Sequence, residues 1–261
     1  MKRVSLGKVI RKSFWYVYDH LGRLILLNVL WFLLGLPWVL AFGAGLFLGW
    51  GILQTGNLLI GLCAMLVGAQ ILFVSPPTAG LLAVCRGDVE RQTGVGQGIL
   101  SMIRRYAVRS QILGLLMAGG TILLCVNLLF YVRIGRLIGL ALGGTMGWGL
   151  LFWVLVSLSV MPVLIYSDTG LFTVLKRSAL TVLGHPFFSL FLLLGTGMLF
   201  MVGLVTGVGL VLLAMSLMGV FLNTAFRELI QGHAPIERGM EAEEREEEKR
   251  GWRDLLRPWE M

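Results

Sequence analysis

Residues 24–85 read LILLNVLWFLLGLPWVLAFGAGLFLGWGILQTGNLLIGLCAMLVGAQILFVSPPTAGLLAVC. These 62 residues contain no Asp, Glu, Lys or Arg, and proline interrupts them only at Pro37 and at Pro76-Pro77. A soluble core cannot use so long an uncharged run, because its water-facing side would need charge. A bilayer can: about 20 apolar residues cross its hydrocarbon, so the run holds two crossings and a turn.

The rest of the chain agrees. Of 261 residues 57% are hydrophobic and 14% charged, with mean hydropathy +0.84, against roughly 25% charged in soluble domains. The 35 glycines suit helices that pack closely in lipid. Net charge is +8, but the cations flank hydrophobic spans instead of forming one patch, which points to a membrane surface and not to nucleic acid. Cys63, Cys85 and Cys125 lie in or beside apolar spans and have no CxxC spacing, so neither a disulfide framework nor a zinc site is indicated. His20, His185 and His233 are far apart and match no metal spacing.

The expected fold is all-α: a multi-pass transmembrane helical bundle of about six spans. These are placed at Leu24–Leu48, Asn57–Val84, Ser110–Val132, Leu137–Tyr166, Phe187–Val205 and Gly207–Phe226. The domain reading is a basic amphipathic interfacial helix over 1–23, a transmembrane domain over 24–226 and a charged cytoplasmic tail over 227–261. The leader is too long and its apolar segment too extended for a cleaved signal peptide, so the first span is expected to stay. In the leader, Trp15 and Tyr16 are expected to anchor in the headgroup layer. In the tail, Glu241/Arg245 and Glu246/Arg250 stand at i, i+4, a spacing that supports a solvated helix, and Trp252, Leu255, Leu256 and Trp259 form an interfacial end.

Sidedness follows from Lys and Arg. If the leader, the links after spans two and four and the tail share one side, 20 of the 22 basic residues lie there. Only Arg133 and Arg136 fall opposite. Both termini are therefore expected in the cytoplasm.

Two cytoplasmic links carry candidate partner contacts, Arg104 and Arg105 in the first, Lys176 and Arg177 in the second. The second link reads as a helix from Leu171 to Leu183, with Leu171, Phe172, Leu175, Ala179, Val182 and Leu183 as its apolar face and Gly184 and Pro186 as its stop. Asp168 or Thr169 is positioned to cap it. Gly135, Gly139, Gly143 and Gly147 form a ridge at i+4 spacing, expected to pack against another helix.

Acids, bases and histidines are missing from all six expected spans. This argues against proton-coupled transport, pumping and intramembrane proteolysis, each of which uses ionisable groups at depth. No nucleophile–base pair is apparent, so an enzyme is not expected. Gly94-x-Gly96 lacks the context of a phosphate loop, and no cofactor is expected. The polar residues at depth, Asn28, Gln54, Asn57, Gln70, Thr78, Asn127, Thr145, Ser157, Ser159, Asn223 and Thr224, are expected mainly to bond between helices. A path for a neutral sugar is the alternative.

Leu21-Gly22-Arg23-Leu24-Ile25-Leu26-Leu27-Asn28-Val29-Leu30-Trp31, running on to Leu36-Pro37, resembles the opening of the YesL-like family of bacterial membrane proteins. Ser75-Pro76-Pro77-Thr78-Ala79 is similar to that family's Pro-Ala/Thr-Ala turn, and Leu175-Lys176-Arg177-Ser178-Ala179 before Gly184-His185-Pro186 to its later block. The order of these blocks matches, although residues 38–74 separate two elements that lie close together in the family. Asn28, Trp31, Pro37, Pro76 and Pro77, with Pro162, are the candidate structural or gating positions, and Pro76-Pro77 is expected near the cytoplasmic face. The resemblance implies a bacterial plasma-membrane protein, an accessory component of carbohydrate uptake, with ABC transporter subunits or another membrane protein as partner. Ser167–Pro186 has no Glu-Ala-Ala, so a conventional permease is not expected. The alternative is a regulatory or scaffolding membrane protein with no transport activity of its own.

Overall fold

The computed structural model describes residues 6–89, 98–135, 137–167, 169–207 and 209–231. The expected tail helix and its interfacial end lie outside these residues. In chain order the helices are α1 (Leu6–Asp19), α2 (Leu21–Leu34), α3 (Leu36–Gln54), α4 (Leu58–Phe73), α5 (Pro76–Val89), α6 (Ile99–Ile134) and α7 (Leu137–Ser167). There follow α8 (Leu171–Gly184), α9 (Pro186–Thr206), a π-helical turn (Leu210–Ala214) and α10 (Met215–Gln231). No strand occurs among the described residues. The chain is an all-α multi-pass bundle.

Five helices are long and apolar enough to cross a membrane, or up to seven if two bent pairs each count as a span. One bent pair, α4 with α5, turns by 52°, and counted as one broken span it forms a single path. The other, α1 with α2, turns by 90°. There α1 is the amphipathic helix expected from the leader, lying across the axis of α2. Counting the first path as α2 leading into α3 gives six crossings.

Two expected spans are corrected. Leu24–Leu48 is not one helix: Gly35 separates α2 from α3, and Pro37 stands in the first turn of α3, where its missing N–H has no helical partner to lose. Asn57–Val84 breaks at Val74–Ser75. The two breaks face each other, because a Cβ on Gly35 would lie 3.5 Å from the ring of Pro77. Pro76 begins a helix of 14 residues, about 21 Å long, so the double proline sits partway along its path and not near the end where it was expected. The intervening stretch forms a full helical hairpin of α3 and α4. The other four spans are found near their expected bounds, with α6 extended back to Ile99.

Charge and turn chemistry sort the ends. The turns at Gly56, Gly135 and Gly207 all have positive φ (82°, 66° and 61°), a backbone that glycine adopts without steric cost. They alternate along the chain with the ends that carry α1, Arg86, the start of α6, α8 and the end of α10.

The core lies toward this second end. Every residue from Val74 to Cys85 is buried, as are nearly all from Leu155 to Ile165 and from Ala214 to Phe226 except Leu217. Helix α5 is thus enclosed from Pro76 to Cys85, by α2, α6, α7 and α10. The opposite end is looser: Leu40, Phe47, Leu48 and Trp50 of α3, Leu123 and Phe130 of α6 and Trp148 of α7 are exposed, as lipid-facing side chains are.

The α3–α4 hairpin closes through glycine. A Cβ on Gly49 would lie 2.8 Å from the Gly61 carbonyl oxygen, and one on Gly61 would lie 2.7 Å from that of Gly49. Gly49→Ala should therefore separate the backbones and cost about 1–3 kcal/mol. Gly43→Ala, with open space at the same atom, should be neutral or slightly stabilising through helix propensity. Unfolding of the purified protein by increasing SDS fraction in mixed micelles checks this, and equal effects of the two changes would contradict it.

Candidate functional site

Three broken backbones meet around α5, each closed by a side chain. Pro76 has no N–H, so the Leu72 carbonyl four residues before it has no helical partner. Two hydroxyls take that place: Ser75 Oγ donates to Leu72 O at 2.8 Å and Thr78 Oγ1 at 3.0 Å. Thr78 Oγ1 also accepts from Trp31 Nε1 at 3.2 Å, which ties α2 to the break. The sequence Ser-Pro-Pro-Thr thus carries its own repair.

The second break is the π-helical turn. Asn28 is fully buried; its Nδ2 donates to the Val211 carbonyl and its Oδ1 accepts from the Ser216 N–H, both at 2.8 Å. Those two backbone groups stand five residues apart, the spacing a π-turn would pair directly. The inserted amide replaces one main-chain bond and joins α2 to the start of α10.

The third is the end of α7. Arg86 Nη1 donates to the Ile165 carbonyl at 2.5 Å, and its guanidinium lies over the Tyr166 ring, 4.3 Å from the centroid. A cation on the last carbonyls of a helix satisfies groups that have no partner within it. Tyr166 OH donates to the Asn223 carbonyl, and Asn223 Nδ2 donates to the carbonyls of Leu82 (3.0 Å) and Gly219 (2.8 Å). Elsewhere Gln70 Nε2 donates to Ser157 Oγ at 3.0 Å, joining α4 to α7. Gln70 Oε1 and Asn223 Oδ1 are buried without a partner.

The buried polar side chains among the described residues are Ser, Thr, Asn and Gln. Amides and hydroxyls of this kind bond helices together; they do not exchange protons near neutral pH. No three His, Cys, Asp or Glu side chains among the described residues come together as a metal site.

Of the sequence candidates, Asn28, Trp31, Pro76 and Pro77 are gathered around the start of α5. Pro37 is apart, in the first turn of α3. Pro162 lies inside α7 in its buried half. The glycine ridge is shorter than expected: Gly135 is the turn itself, Gly139 and Gly143 lie against the end of α6, and Gly147 has open space where a Cβ would stand. Of the expected interhelical groups, Asn127, half-buried, and Thr145, exposed, bond their own helix. Arg86, the π-helical turn and the tie between Lys12 and Glu228 (Nζ to Oε1, 2.6 Å) were not anticipated. Arg86 could have been found as the first charge after the uncharged run; the π-turn leaves no periodic signal.

At the end of the bundle that carries α1 and α8, Arg104, Arg105, Lys176 and Arg177 are all exposed. Trp15 is buried and does not face the headgroups; Ile10, Phe14 and Tyr18 do the facing outward on α1. On α8 the buried face is Val174, Ser178 and Val182, while Phe172 and Leu183 point away from the protein. Gly170, not Asp168 or Thr169, precedes its first turn, with no side-chain cap.

Asn28→Leu should destabilise the protein by about 2 kcal/mol, since it leaves a carbonyl and an N–H unpaired away from water. Asn127→Leu removes only an exposed intrahelical bond and should change stability by less than about 0.5 kcal/mol. Thermal unfolding in detergent separates the two, and indistinguishable midpoints would contradict the role given to Asn28.

Comparison with family models, with curated proteins and with solved structures finds no match to this chain.

Proposed function

We propose that the chain is an accessory membrane component that holds a partner at its cytoplasmic end and performs neither transport nor chemistry by itself. Carbohydrate uptake is the setting that the YesL-like resemblance implies, with ABC transporter subunits or another membrane protein as the partner, in a bacterial plasma membrane. The observation that carries the reading is the burial of α5 from Pro76 to Cys85, around which Asn28 and Thr78 are spent on backbone repair. A transporter needs polar groups facing a path; here Asn28, Ser75 and Thr78 are turned onto carbonyls and an N–H group.

The partner surface in this reading is the start of α6. Arg104, Arg105 and Arg109 are exposed there with Leu100 and Val108, while Ile99 and Tyr106 hold the helix to the core. Orientation rests on the positive-inside bias.

A second reading, a regulatory or scaffolding protein, is favoured by the attachment of α1. Lys12 and Glu228 are mostly buried, with side-chain exposures of 20% and 16%, so a helix lying across the bundle is tied to the end of α10.

A photoreactive side chain at Arg104 or Arg105 in cells should form an adduct with a sugar-importer subunit, and deleting the chain should slow uptake of that sugar. Unchanged uptake together with an adduct to a different membrane protein would favour the second reading. Movement of labelled oligosaccharide into liposomes by the purified chain alone would overturn both.

A further inference from the structure

The face of α8 that points away from the protein is apolar and basic together. Phe172, Leu180 and Leu183 are 80%, 56% and 65% exposed, and Lys176 lies among them. Steps of four, four and three residues put these positions on one stripe of a helix. Arg177 is exposed at its border. The opposite stripe, Val174, Ser178 and Val182, is buried in the bundle.

Where this stripe leads decides what covers it. Only His185 separates α8 from α9, whose first residues include Phe187, 85% exposed. Leu190, Leu194, Met198 and Met201 continue the exposed apolar side of α9. Since α9 is 21 residues long, the length of one full crossing, its start stands at the bilayer surface. Exposed apolar residues thus line α8 and continue on the adjoining α9. A helix with an apolar stripe beside Lys and Arg, leading into a crossing, is the kind that beds into an interface of anionic lipid.

We infer that α8 is a lipid-binding helix: Phe172, Leu180 and Leu183 enter the headgroup layer, and Lys176 and Arg177 engage the phosphates of anionic phospholipid. This assigns the second of the two cytoplasmic basic pairs to the bilayer and leaves Arg104 and Arg105 for a partner, whatever that partner is. It goes beyond the proposed function and does not rest on it.

The test uses the full chain in nanodiscs of phosphatidylcholine, alone or with a minor share of phosphatidylglycerol. Nitroxides are attached at Phe172→Cys and Leu183→Cys, with Arg105→Cys as the aqueous reference. The unsubstituted chain, whose three cysteines are buried, serves as background. The expected result is that both α8 labels collide more with oxygen and at least about threefold less with a water-soluble nickel chelate than the reference does, with further shielding when phosphatidylglycerol is present. A basic residue near an anionic surface strengthens attachment about fivefold, so Lys176→Gln with Arg177→Gln should abolish that further shielding.

Nickel collisions at both α8 positions equal to those at Arg105 would overturn the inference. So would shielding that persists in detergent micelles and grows with protein concentration, which would mean that a second copy covers the face. Shielding that ignores phosphatidylglycerol and is unchanged in the double variant would overturn the role of the two cations.

Discussion

Inside hydrocarbon there is no water to pair a carbonyl or an N–H, so an interrupted helix must find its missing partners within the protein. This constraint organises the bundle. Proline frees the Leu72 carbonyl, and the hydroxyls of Ser75 and Thr78 cover it. The π-helical turn is bridged by the amide of Asn28, and the end of α7 is closed by Arg86. The amide of Asn28 and the guanidinium of Arg86 also join helices that are distant in sequence, and Trp31 ties α2 to the first break through Thr78. Helix α5 lies at the meeting point of α2, α6, α7 and α10.

That arrangement explains where the packing is dense. The half that carries α5, the end of α7 and α10 is solid with buried residues, while the half with the α3–α4 hairpin and the glycine turns is open to lipid. Charge follows the same division: the exposed arginines of α6 and the cations of α8 surround the dense half. The dense end of the molecule is thus also its basic end.

Much of this was legible in the sequence, for identifiable reasons. The uncharged run and the flanking cations specify membrane crossings directly, and the helical pattern of residues 171–184 shows through because Gly184 and Pro186 delimit it. Asn28, Trp31 and Pro76-Pro77 stand out as polar or helix-breaking residues in an apolar run. Other features could not be read. In lipid both the buried and the outward side of a span are apolar, so hydrophobicity does not tell which side of a helix faces the protein. The same ambiguity misassigned Phe172 and Leu183 on α8 and turned Trp15 outward. The break at Gly35 was hidden because a glycine in a membrane span is usually a packing position, and the π-turn because its spacing matches no periodic pattern.

The central claim is that α5 is a sealed structural axis and not the wall of a path. Single cysteines placed from Val74 to Cys85 in the reconstituted protein, exposed to a small water-soluble thiol reagent from either side of the membrane, test it most directly. None of these positions is expected to react until the protein is unfolded. Modification recurring every three or four residues along α5 would mark a water-lined face and contradict it.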